Sequence, residues 1–81
     1  MTLGKAFIKR LKEILDSKKI KSLHSFLKDN CIPRSTIINL ENGNTKSPTL
    51  ALVYRVAYAL DMSPIEFLND IIMLNDDIDF L

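Results

Sequence analysis

The segment at residues 22–43, SLHSFLKDNCIPRSTIINLENG, restricts the possible fold more than any other part of the chain. Ser22 carries the hydroxyl of a helix N-cap, and Leu23, Phe26 and Leu27 follow at i, i+3, i+4, the spacing of one helical face. After a tight corner, a second helix places Ile37 and Leu40 three residues apart, facing a core, while Arg34, Ser35, Ile38 and Asn39 point elsewhere. Gly43 follows the last turn, where a left-handed residue closes a helix without steric strain. A second helix held by its apolar side, with a row of hydrogen-bonding side chains outward, is shaped to enter the major groove of DNA. The spacing predicts a DNA-binding helix-turn-helix.

The flanking sequence is helical throughout. Phe7, Leu11 and Leu15, with Ile8 and Ile14 beside them, make an apolar stripe over about residues 2–17, and Lys5, Lys9, Arg10 and Lys12 decorate the remainder. Lys18, Lys19 and Lys21 form a basic link, with Ile20 tucked onto the core. After the third helix, at about 33–42, a polar loop at 43–47 ends at Pro48, a residue favoured in a first helical turn. A fourth helix over about 49–60 turns Leu50, Val53, Val56, Ala57 and Leu60 inward. The run Ser63-Pro64-Ile65-Glu66 is a capping box with Pro at its first helical position, and a fifth helix is expected through Phe67 and Leu68 toward Ile72 or beyond. That helix would carry Ile65, Leu68 and Ile72 on one side and Phe67, Ile71 and Leu74 on another. A helix apolar nearly all round must be buried all round. A second copy is the economical cover, in a two-fold pair that Tyr58, with Tyr54 and Leu52, could join. The alternative is that the tail IDFL folds back over the spare side.

Eighty-one residues leave room for one core, and with 47% hydrophobic residues and only two Gly the chain should be ordered and mostly helical. A core this small supplies only about 3–5 kcal/mol, which favours self-association. One Cys excludes a disulfide framework and fits a reducing cytoplasm. Apolar runs too short to span a bilayer, and an N-terminus without a signal-peptide pattern, point to a soluble protein with no membrane partner. The formal net charge is +1. Residues 1–46 nevertheless hold ten Lys/Arg against four Asp/Glu, or +6, while residues 47–81 hold one, Arg55, against six, or −5. Such asymmetry orients a domain as it approaches a polyanion.

The ordered features SL..FL, IPRSTIINLENG, SPTL with a following helix, and DMSPIEFL resemble the phage repressor and Cro type of helix-turn-helix, also called the xenobiotic-response-element family. The resemblance covers about residues 5–69. It implies an all-α, compact five-helix lambda-repressor-like DNA-binding domain at 1–69, with a C-terminal extension at 70–81 for dimerisation or a partner. It further implies a sequence-specific regulator of transcription, a repressor bound as a homodimer to an inverted-repeat operator. The chain departs from the family pattern at Leu23, where Gln is common, at Leu27, where a small Ala is usual, and at Pro33, which replaces a capping Ser. Cys31 stands at the corner usually given to Gly, so either Cys31 or its neighbour Asn30 must take the left-handed conformation.

On this reading Arg34 donates twice to guanine O6 and N7, Asn39 pairs with adenine, Ser35 bonds a base edge or a phosphate, and Ile38 touches a thymine methyl. Thr36, Asn42, Asn44, Thr45 and Lys46 hold the DNA backbone. The dimer interface is expected at Tyr58, Ile65, Phe67, Leu68, Ile71, Ile72 and Leu74. Catalysis, metal and cofactors are not expected: one Cys and one His cannot assemble a Cys/His metal cluster. Cys31 reads as a buried, inert thiol, or alternatively as a redox switch. A different functional class is an antitoxin-like or adaptor protein whose acidic, apolar tail at 70–81 binds a protein partner.

Overall fold

Four helices begin on a hydroxyl. Thr2, Ser22, Thr49 and Ser63 each accept the backbone N–H three residues ahead, from Lys5, Ser25, Leu52 and Glu66, at 3.1 Å in every case. Each such cap satisfies a donor that would otherwise be orphaned and contributes about 1 kcal/mol. The structure, a computed structural model, describes residues 1–70, 73 and 77–79. Within them lie α1 (Leu3–Ser17), α2 (Leu23–Asp29), α3 (Arg34–Asn42), α4 (Leu50–Ala59) and α5 (Pro64–Leu68). Only α3 starts without a side-chain cap, because Pro33 stands at its N-cap. At Ser63 the box is complete, since the Ser63 N–H also donates to Glu66 Oε1 at 3.3 Å.

The helix ends share a second device. After α1, α2 and α4 the chain turns on a left-handed residue that is not glycine: Lys19 (φ 59°), Cys31 (φ 55°) and Asp61 (φ 59°). In each case the following N–H reaches back into the helix, from Ile20 to Leu15 O, from Ile32 to Leu27 O and from Met62 to Ala57 O, all at 2.9 Å. These are Schellman closures, and each follows its left-handed residue with an apolar one packed on the core. Cys31 therefore takes the strained conformation at the corner, while Asn30 stays at φ −108°. At the end of α3 the left-handed residue is Gly43, with φ 83°.

α1 packs on α3, α2 on α3, and α4 on α5. Phe7, Leu11, Ile37, Leu40, Val56 and Phe67 are the largest fully buried side chains, and the Phe7 and Phe67 rings lie 5.3 Å apart. No described helix is long and apolar enough to cross a membrane.

Three expectations are corrected. Leu50 was expected inside but is 70% exposed, whereas Leu52, expected at an interface, is buried. With the core face of α4 centred near Val56 and Leu60, Leu50 falls at its rim in the open first turn. α5 ends at Leu68 rather than running to Ile72, so it is not the long two-faced helix anticipated. Arg10 caps that end. Its Nε donates to Phe67 O at 2.8 Å and its Nη2 to Glu66 O at 3.2 Å, giving partners to carbonyls at the end of the helix. Phe67, assigned to a dimer surface, is fully buried against Phe7, with the Arg10 guanidinium 5.8 Å from its ring centre. The tail, weighed as either folding back or meeting a partner, returns at residues 77–79 to the start of the chain: the Met1 ammonium donates to Asp77 O, the Asp79 N–H donates to Met1 O at 2.7 Å, and Ile78 is buried. Ile71, Ile72 and Leu74 lie outside the described residues.

Candidate nucleic-acid interface

α3 is gripped from one side. Ile37 and Leu40 are buried beneath it, and Lys12 of α1 makes an ion pair with Glu41 at 2.6 Å. The remaining positions divide into two rows by helical spacing. Arg34, Ile38 and Glu41 run along the edge nearest α1 and α2, where with Lys12, His24 and Leu27 they line a shallow cleft. Ser35, Asn39 and Asn42 form the outer row. Arg34, Ser35 and Asn42 are exposed, Ile38 is 43% exposed and Asn39 is half-buried. No intramolecular hydrogen bond or ion pair occupies the side chains of Arg34, Ser35 or Asn39 among the described residues. Their donors and acceptors are available to a partner, at the N-terminal and middle turns of one helix.

The residues expected to hold a backbone do not all come together. Asn42, Asn44, Thr45 and Lys46 are exposed and cluster at the C-terminal end of α3. Two backbone bonds fix their loop: the Thr45 N–H donates to Asn39 O at 3.0 Å, and the Gly4 N–H of α1 donates to Lys46 O at 2.8 Å. Gly4 is required by that approach. A Cβ there would stand 2.9 Å from Leu40 Cδ2 and 3.1 Å from the carbonyl oxygens of Thr45 and Lys46. Thr36 is separate from this group. It lies in a cleft against α4 with Pro33, Thr49 and Arg55.

Three contributors escape a reading confined to the motif. Gly4 is visible in sequence only as a glycine inside an amphipathic helix, a costly choice that calls for a close neighbour. Arg55, the one cation of the acidic half, donates through Nη1 to Cys31 O at 3.1 Å and so ties α4 to the corner between α2 and α3. Lys5 approaches the end of α3 beside Gly43. Cys31 itself is exposed rather than buried. Its neighbour Ile32, the next residue of the closure, takes the inward position instead.

No family model, curated protein or solved structure matches the chain.

Proposed function

We infer that the chain binds double-stranded DNA by laying α3 in the major groove, and that it regulates transcription as a homodimer. One observation carries this reading: α3 is held by Ile37 and Leu40 while Arg34 and Ser35 stand exposed and Asn39 half-exposed, their side-chain hydrogen-bonding groups unused among the described residues. Planar guanidinium and amide groups match the two-point patterns that guanine and adenine present in that groove. The resemblance of IPRSTIINLENG and SPTL to the phage repressor and Cro type supports the same assignment, as does the +6 surplus of residues 1–46. The loop of Asn42, Asn44, Thr45 and Lys46 would contact phosphates and set register without reading bases.

Pairing of two copies is supported by apolar side chains that stand exposed among the described residues. Leu50, Tyr54 and Tyr58 recur at i, i+4 and i+8 on α4, with exposures of 70%, 44% and 64%, and Ile65 on α5 is 79% exposed. Two readers related by a two-fold axis call for an inverted repeat with half-sites about one helical turn apart. Occupancy of such a site across a promoter excludes polymerase, so the regulatory outcome is repression. Selection of bound duplexes from a random pool tests the reading. It should return an inverted repeat with half-site centres about 10–10.5 bp apart. A pool that stays random after repeated rounds would refute sequence-specific binding.

A further inference from the structure

A second surface flanks α3, and it belongs to α1. Lys5 and Lys9 are four residues apart, hence on one face, and both are exposed without an ion pair among the described residues. With Met1, Ile8, Lys12 and Glu41 they line a groove of about 300 Å³ between α1 and the C-terminal half of α3. Lys12 is already committed to Glu41 at 2.6 Å. Lys5 and Lys9 are not. The Lys5 ammonium lies 3.7 Å from the point where a Cβ on Gly43 would stand, and the Gly4 N–H bonds Lys46 O, so the loop carrying Lys46 is fastened to the same end of α1. Lys12 and Glu41 also wall the cleft that holds Arg34 and Ile38, so the two concavities share a boundary. Beyond Met1 and Thr2 runs the tail backbone at 77–79, where the Asp79 N–H donates to Met1 O.

We propose that Lys5 and Lys9 of α1, together with Lys46, form a phosphate-binding ledge that carries the sugar–phosphate backbone of duplex DNA alongside α3. The ledge rests on the reading of α3 as a groove-binding helix and extends the footprint to a helix outside that motif. Nucleic acid is the partner the placement favours, because a linear polyanion can follow the strip from Lys46 to Lys9 while the adjoining cleft presents Arg34. The ledge adds affinity through counterion release and no base preference.

The test is a salt titration of the full chain binding a fluorescein-labelled 20-bp duplex of random sequence. Each phosphate contact contributes about 0.9 to the slope of log K against log salt. Lys5→Gln with Lys9→Gln should therefore flatten that slope by roughly 1.8, with the melting temperature of the free protein unchanged. Lys28→Gln with Lys21→Gln, which removes as much charge outside the groove, should flatten it by less than half as much. A slope unchanged by the Lys5/Lys9 pair overturns the ledge while leaving DNA binding intact. So does an equal effect of both pairs, which would report bulk charge alone. A fall in melting temperature with no change in slope overturns it as well, because Lys5 would then serve only the negative end of α3. Failure of the unaltered chain to bind the duplex at any salt concentration would remove the ledge and the groove-binding reading together.

Discussion

Lys19, Cys31 and Asp61 each hold a left-handed backbone that an L side chain resists by about 1–2 kcal/mol. Lys19→Gly and Asp61→Gly should relieve that strain, less the roughly 0.5–1 kcal/mol that glycine adds to the freedom of the unfolded chain. Each is expected to raise stability by up to about 1 kcal/mol, seen as an increase of a few degrees in Tm. The two sites close different helices, so their effects should add. A lowered Tm would mean that these side chains make contacts worth more than the strain. Gly4→Ala has the opposite sign. Its methyl group would meet two backbone carbonyls and Leu40, so the loop must move, at a cost of about 1–3 kcal/mol by thermal melting.

At the scale of elements, Arg10 is a single side chain that caps the end of a helix, with Nε and Nη2 on the last carbonyls of α5 and Nη1 on Asp70 Oδ2 at 3.3 Å. Arg10→Gln should cost about 2–3 kcal/mol in urea denaturation, because charge-assisted bonds and the partly buried carbonyls they serve are lost together. Arg10→Lys should rescue little of it, since an ammonium cannot span two carbonyls and a carboxylate; full rescue would show that charge alone matters. This contact also marks the limit of what the sequence discloses. Ser22, Gly43 and the Ser63 box are legible because caps are local chemistry, settled within four residues. The buried stripes of α1, α2 and α3 are legible because polar residues frame them. The rotation of α4 is not, since Leu50, Leu52, Val53, Tyr54, Val56 and Tyr58 place apolar groups around most of its circumference. The early end of α5 is hidden for a related reason: its cap is Arg10, 56 residues away from Glu66. At the candidate site the exposure of Arg34 and Ser35 at the start of α3 follows from periodicity, whereas Gly4, Lys5 and Arg55 enter only through tertiary contact.

The whole molecule joins a basic half that carries α3 to an acidic half that carries the exposed apolar residues Leu50, Tyr54 and Tyr58 of α4 and Ile65 of α5. If these exposed groups join two copies, Tyr58→Asp with Ile65→Asp should shift sedimentation to the monomer mass and weaken operator binding, while both exposed positions leave the fold intact; an unchanged mass would place any pairing elsewhere. The central claim is narrower: α3 presents Arg34 to the edges of bases. Its most direct measurement compares the unaltered chain with Arg34→Ala on a selected operator, on single-base variants of it and on random duplex. The account predicts that discrimination at one base pair per half-site falls by about 1–3 kcal/mol while affinity for random duplex changes little. Equal weakening on every duplex would make Arg34 a phosphate contact and contradict the account.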